Sequence, residues 1–362
     1  MRKRKADEKG LSRRTFLKSG AATGAAVVGS AFPAGLLGCG GSDEADRSEP
    51  ERLFSFAIIA DIHIGETHPD FGSEGYADSG GSEDEISARV RTAVELVNAN
   101  ADAYGIELVM LVGDLTDSGE MSEYVMAKSI MDELAVPYFP LIGNHDMWPY
   151  YWTADETFTQ TPLPTGDEVF ESLFADHFAA LGSAFPSLTK APTPTHNPDL
   201  DASSYFINYA FDHQGYHFVC LDFGTRAAAP PEYPGVGPEA ELHDFEGGTW
   251  RWLKDHLESH PNAENNKILV FAHHPPGQVA MFGLSAEASA EFASYIENAG
   301  HQASIFGYFV GHLHVSLVDE STLADQVVVV TAAAKDSSTV RVVQVFSDGT
   351  IDFETLLVPE PG

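Results

Sequence analysis

Five short clusters of this 362-residue chain gather the side chains that could do chemistry. In chain order they are Asp61-Ile-His63, Gly113-Asp114-Leu-Thr-Asp117, Gly143-Asn144-His145-Asp146, His273-His274-Pro275 and Gly311-His312-Leu-His314. Carboxylate, amide oxygen and imidazole recur, and thiolate is missing. That donor set suits Mn, Fe or Zn ions. One histidine pair is suggestive by itself. On an extended strand, residues i and i+2 point to the same side, so His312 and His314 could reach one site while Leu313 faces away. Each fragment alone is a weak motif, and its bland reading is a surface turn.

The elements that must carry these clusters are legible around them. Apolar β runs at 53–60, 107–113, 138–143, 217–223, 267–272 and 305–311 end in polar or Gly-rich loops, and all five clusters sit at such ends. Between the runs lie stretches with helical spacing of apolar residues: 83–104, which opens on acidic residues, 122–134, 248–260 and 286–300. The final segments, VVVVTAAA, VRVVQVFSDGT and IDFETLLV, predict further strands with a hairpin at Asp348-Gly349. Strands alternating with helices imply an α/β protein with largely parallel strands, and the strand-rich end implies a second, mixed sheet. Ligands in such folds bind beyond the carboxyl ends of strands.

Taken together, D-x-H, G-D-x-x-D, G-N-H-D, H-x-P and G-H-x-H in this order resemble the calcineurin-like metallophosphoesterase superfamily. The resemblance runs from about Leu53 to at least Val315, and the motifs are closest to its cyclic-nucleotide and glycerophosphodiester phosphodiesterase branch. It implies a four-layer α/β/β/α sandwich of two mixed sheets with flanking helices. It also implies two metal ions: Asp61, His63 and His314 on the first, Asn144, His273 and His312 on the second, and Asp114 bridging. A metal-bridging hydroxide would attack phosphorus in line, with His145 and Asn144 stabilising the phosphoryl oxygens and His145 assisting departure of the alcohol. Asp146 would orient the His145 imidazole and raise its pKa, and Asp117 would support the first site through hydrogen bonds. His274, next to a ligand on a strand, is expected to face away. Gly113, Gly143 and Gly311 are expected to let the chain turn sharply out of the sheet. The other histidines, including His217, His256 and His260, read as surface or structural. Where purple acid phosphatases place a tyrosine this chain has Asp117, which removes any basis for an iron–phenolate colour.

These motifs do not name the leaving group. A phosphodiester is favoured, with phosphomonoester or nucleotide pyrophosphate hydrolysis as alternatives; a catalytically silent scaffold on the same fold would be expected to lack ligands that are all present here. The partner expected is a small phosphate-ester substrate. Aromatic residues Trp148, Tyr150, Tyr151 and Trp152 could stack on it or anchor an insert.

The first 38 residues are a separate object. They are basic, carry SRRTFLK at Ser12 to Lys18, continue as a Gly/Ala tract and end at LLGC. The first motif resembles a twin-arginine export signal and the second a lipoprotein cleavage site with Cys39 as the lipidated residue. Residues 39–51 read as a flexible tether, and 52–358 as the metallophosphoesterase domain, with insert loops at 64–82, 147–204 (holding one helix near 168–181) and 224–247. A periplasmic or cell-envelope location follows, with membrane contact only through the Cys39 lipid. Eight Lys/Arg and two Asp/Glu fall within residues 1–38, so removing them takes the net charge from −34 to −40. Such a surface repels nucleic-acid backbones, and no duplex binding is expected. Cys220, within an apolar strand, is expected to be a buried, inert thiol.

Overall fold

The computed structural model describes residues 50–69, 78, 81–147, 164–226, 240–260, 267–276, 283–298, 304–323 and 326–359. The export signal, nearly all of the tether, Cys39 and the aromatic run from Trp148 to Trp152 lie outside the described residues, as do parts of all three insert loops.

Two sheets form the centre. The first has the order β14-β13-β1-β2-β3, built from β1 (Arg52–Ala60), β2 (Ile106–Val112), β3 (Tyr138–Leu141), β13 (Val340–Phe346) and β14 (Ile351–Leu357). Strands β1, β2 and β3 are parallel, and the β13–β14 hairpin adds antiparallel beside β1. The second sheet has the order β11-β12-β10-β9-β8-β7-β4. Its strands are β4 (Thr189–Lys190), β7 (Tyr209–His213), β8 (Tyr216–Leu221), β9 (Ile268–Ala272), β10 (Ile305–Val310), β11 (Leu317–Leu323) and β12 (Gln326–Val330). A separate two-stranded ribbon joins β5 (Thr195–Asn197) to β6 (Ala202–Ser204).

Phenylalanines bind the two sheets face to face. Phe56 of β1 meets Phe218, Phe271 and Phe309 of β8, β9 and β10 edge-on, at centroid separations of 5.4, 5.7 and 5.8 Å. Edge-to-face pairs of this kind add to the stabilisation that burial supplies. The outer face of the second sheet is covered by α4 (Thr249–Ser259) and α5 (Ala286–Asn298), which bring Trp250, Leu253, Leu257, Phe292 and Ile296 onto Val219, Leu221, Ile268, Val270 and Val310. The first sheet is flanked by α1 (Glu85–Tyr104), whose buried stripe is Ile86, Val90, Ala93, Val94 and Val97. Helices α2 (Met121–Met131), α3 (Gly166–Ala184) and the short α6 (Ala334–Ser337) complete the domain. The result is the expected α/β/β/α sandwich.

Local chemistry sets the element ends. Asp84 caps α1 by accepting from the Ser87 amide at 2.8 Å, and Gly105 closes it in the left-handed conformation at φ 61°. The predicted hairpin is present, with Gly349 at φ 84°. Two expectations need correction. The insert 147–204 was expected to be irregular apart from one helix but also supplies β4, β5 and β6, and only the Val-rich part of VVVVTAAA is a strand, the alanines passing into α6. Cys220 is fully buried, and burial pushes its thiol pKa well up, so it is unreactive.

Candidate metal centre

Asp61, Asp114 and Asn144 follow β1, β2 and β3 of one sheet; His273 and His312 follow β9 and β10 of the other. Both sheets therefore send their parallel strand ends to one place. The loops are knitted by backbone bonds: Ile62 N and His63 N donate to Asp114 O at 2.9 and 3.0 Å, and Gly311 N donates to His273 O at 3.1 Å. His312 N donates to both carboxylate oxygens of Asp61, at 2.9 and 3.1 Å, which ties the two sheets together at the site.

The side chains converge in two groups. In the first, His63 Nε2 lies 3.2 Å from His314 Nε2 and 3.4 Å from Asp114 Oδ2, and His314 Nε2 lies 3.4 Å from Asp61 Oδ1. In the second, His273 Nε2 lies 3.1 Å from Asn144 Oδ1, 3.2 Å from His312 Nδ1 and 3.1 Å from Asp114 Oδ2. Asp114 Oδ2 thus belongs to both groups. Spacings a little above 3 Å between lone-pair atoms are those of donors around a shared ion with bonds of about 2.0–2.2 Å. The seven residues fit a pair of cations.

Sharing a side is not the work of a strand for His312 and His314. Strand β10 ends at Val310, and both histidines take left-handed backbone conformations, with φ of 68° and 53°. Asp61, His63 and Asp114 do the same, at φ 52°, 40° and 49°. Among the described residues, five of the nine non-glycine residues with positive φ thus belong to this cluster. Each such residue costs of order 1 kcal/mol or more, and strain of this sort gathers where a site is held in shape by its surroundings.

All three glycines preceding ligands act through size, a Cβ on Gly113 standing 2.4 Å from His273 Nδ1. Gly143 and Gly311 have ordinary φ, but a Cβ on Gly311 would stand 2.6 Å from Asp61 Oδ2, and one on Gly143 would collide with Asp114. Gly113 alone has the left-handed turn that was expected, at φ 70°.

Second-sphere assignments change. The Asp146 carboxylate does not hold the His145 ring. It accepts from Gly143 N (2.8 Å), Leu115 N (3.1 Å), Thr116 N (2.9 Å) and Thr116 Oγ1 (2.8 Å), locking the loop after β3 to the loop after β2. Burial and the Asp114 charge push the Asp146 carboxyl upward, while those donors oppose the shift. The imidazole of His145 is held by Asp117, whose carbonyl oxygen lies 2.6 Å from its Nδ1. The Asp117 carboxylate also takes His63 Nδ1 at 3.0 Å, as expected of a supporting residue. Burial works against charge on the His145 ring, but the Asp114 and Asp117 carboxylates and the Asp117 carbonyl outweigh it and raise its pKa.

His274 does not face away. Strand β9 ends at Ala272, so alternation no longer applies, and donor atoms of His273, His274 and His312 all lie within 4.8 Å of one another. Its Nε2 is buried and has no hydrogen-bond partner among the described residues. Sequence spacing gave no sign of this. Nor did it show the Arg226 guanidinium, fully buried between Asp222 (2.7 and 2.8 Å) and Asp167 (3.4 Å), which ties the end of β8 to the first turn of α3.

Comparison with known proteins agrees with this geometry. Residues 54–316 match the family model for calcineurin-like phosphoesterases, so the chain belongs to that family. Residues 10–29 match the twin-arginine translocation signal sequence. Among curated proteins, a probable glycerophosphodiester phosphodiesterase GpdQ from Arcobacter nitrofigilis is 21% identical over 230 residues, covering 63% of this chain and 63% of that protein. Similar solved structures include a dimetal phosphatase from Danio rerio, with 15% identity, 82% and 94% coverage of the two chains and a TM-score of 0.46. Another is a 5'-nucleotidase described as putative from Staphylococcus aureus, with 15% identity, 84% and 54% coverage and a TM-score of 0.43.

Proposed function

We propose that the chain is an exported, dinuclear metal-dependent phosphodiesterase acting on a small phosphate ester. The observation that carries this reading is Asp114 Oδ2, which stands 3.4 Å from His63 Nε2 and 3.1 Å from His273 Nε2 and so joins two donor groups into one centre. Asp61, His63 and His314 would hold one ion, Asn144, His273 and His312 the other. When bound, such a pair supplies Lewis-acid polarisation of the phosphoryl oxygens and an activated water at neutral pH.

The protein's own groups account for the remaining work. Because the Asp117 carbonyl can only accept, His145 must carry a proton on Nδ1. Nε2 is therefore the nitrogen that presents or receives the mobile proton. With its pKa raised, the ring can hold that proton near neutral pH and release it to a departing alcohol oxygen. The ring is 28% exposed, so an ester can reach it. Its edge lies against His63, with ring centroids 4.6 Å apart, which fixes it beside the first donor group. Asn144, next to it, brings an amide to the phosphoryl side.

Preference for a diester is supported by the match to a protein named as a glycerophosphodiester phosphodiesterase. Hydrolysis of bis-p-nitrophenyl phosphate and of p-nitrophenyl phosphate, each with and without Mn²⁺, tests both parts of the reading. Metal-dependent turnover favouring the diester is expected. Faster turnover of the monoester would shift the substrate class, and no turnover of either by metal-loaded protein would reject the hydrolase. For the N-terminus we infer lipid attachment at Cys39, from LLGC a few residues beyond the twin-arginine segment. Cys39→Ser should then move the exported protein from the membrane to the soluble envelope fraction.

A further inference from the structure

A second group of histidines stands at the opposite end of the second sheet. Asp212 of β7 and His217 of β8 are direct cross-strand partners. They share strand parity with Ala210, Val219 and Leu221, so they face the α4 side of the sheet. The last turn of α4 and its cap bring His256 and His260 over them, at the i, i+4 spacing that puts two imidazoles on one helix face. Strand β8 runs parallel to β9 with His217 opposite Ile268, five residues before His273. At the rise of a strand this group is about 17 Å from the catalytic centre.

The contacts are close and directional. His217 Nδ1 lies 2.7 Å from Asp212 Oδ1, and His217 Nε2 lies 2.8 Å from His256 Nε2. The His260 ring stacks on His217 at a centroid distance of 3.8 Å. Donor atoms of Asp212, His217 and His260 all fall within 4.8 Å of one another.

We propose that Asp212, His217 and His260 form a mononuclear site for a zinc-class divalent cation, with His256 hydrogen-bonded to the outer nitrogen of His217. Two imidazoles and one carboxylate, with water completing the shell, are a borderline donor set of the kind that zinc prefers. The ion would replace the proton shared by His217 Nδ1 and Asp212. His217 then carries its proton on Nε2 and donates it to His256 Nε2, the outer-shell arrangement that fixes a metal-bound imidazole. Zn–N bonds of about 2.0–2.1 Å require the His260 ring, stacked within 15° of parallel on His217, to rotate out of the stack so that a ring nitrogen points at the ion. His260 is half-buried at the helix end.

The test is metal stoichiometry of tag-free holoprotein after equilibrium dialysis against Zn²⁺. Three ions per chain are expected for the native protein, two for His260→Ala with phosphoesterase turnover unchanged, and two for Asp212→Asn. His256→Ala should keep the third ion at saturation but bind it about 10- to 100-fold more weakly. A double variant Asp61→Ala/His314→Ala separates this site from the catalytic reading, since it should still lose one ion when His260→Ala is added. The proposal fails if the native protein saturates at two ions, or if folded His260→Ala, checked by circular dichroism, keeps all three.

Discussion

The backbone carbonyl of Asp117 lies 2.6 Å from Nδ1 of His145, while the side chain of the same aspartate holds His63. One residue thus holds two imidazoles through two chemically distinct oxygens, and mutation can separate these contacts, although the carboxylate also stands 3.6 Å from His145 Nδ1 and helps to raise its pKa. Asp117→Ala removes only the carboxylate. His63 loses the partner that orients its ring, and ligands deprived of such support bind metal about 10- to 100-fold more weakly. The His145 contact survives because the carbonyl belongs to the main chain. Activity of Asp117→Ala should therefore be low at limiting Mn²⁺ and recover most of its native value at saturating Mn²⁺. A defect that no metal concentration repairs would place the carboxylate in the reaction itself.

Asp146 predicts a different phenotype although it adjoins His145. Its carboxylate answers three main-chain amides and the Thr116 hydroxyl in a fully buried position. Asp146→Ala would leave those donors without acceptors, at a cost on the order of 3–5 kcal/mol. Urea unfolding should show that loss, together with a protein that holds metal poorly because the loops carrying Asp114 and Asn144 have come apart. If the variant unfolds at the native midpoint yet turns over slowly, the carboxylate acts on the chemistry after all.

Gly311 offers a steric test. An added methyl would meet Asp61 Oδ2 at 2.6 Å and Val112 O at 2.9 Å, neither of which can retreat without moving a strand end. Gly311→Ala should displace Asp61 and lower both metal affinity and kcat by at least tenfold. Gly349→Ala is the control. Its Cβ would meet nothing within 4 Å, so only the positive φ of 84° is penalised, and activity should be native. Equal activity of the two variants would remove the packing argument.

What the sequence disclosed and what it hid follow from the same physics. Apolar runs such as LFSFAIIA and KILVFA are buried parallel strands, and their ends mark the site because a strand's direction dictates where its loop emerges. Hence Asp61, His63, Asp114, Asn144, His273, His312 and His314 could be proposed from the order of the clusters together with the family resemblance that order carries. The strands of Thr189–Ser204 were hidden because they are short, polar and interrupted by proline, so no period of two is sustained. Left-handed φ at Asp61, His63, Asp114, His312 and His314 had no sequence mark, since glycine is the usual sign of that conformation. The exchange of roles between Asp117 and Asp146 was equally invisible: adjacency to His145 suggested Asp146, whereas the partner comes from the main chain of another loop. His256 and His260 did carry a signal in their i, i+4 spacing, but their partner residues lie some forty positions earlier on β7 and β8.

His243 provides a pH test remote from the metals. It is 5% exposed, packs its ring on Phe206 at a centroid distance of 4.6 Å, and sets Nε2 3.0 Å from the Gly224 carbonyl. Burial, reinforced by the charge of Arg226, lowers its pKa from 6.5 to about 4. In that interval the unfolded chain binds the proton more tightly than the folded one. The contribution of neutral His243 is therefore complete above pH 6.5 and is lost as pH falls toward 4. At pH 5 the loss amounts to about 2 kcal/mol, from 1.36 kcal/mol per pKa unit. Gln at this position keeps a donor for the Gly224 carbonyl and cannot titrate. Urea unfolding at pH 7 and pH 5 should show native protein losing about 2 kcal/mol more than His243→Gln over that range, every other titrating group being common to both. Parallel losses in the two proteins would mean that His243 takes up its proton within the fold, which requires water to reach the ring beside Arg226.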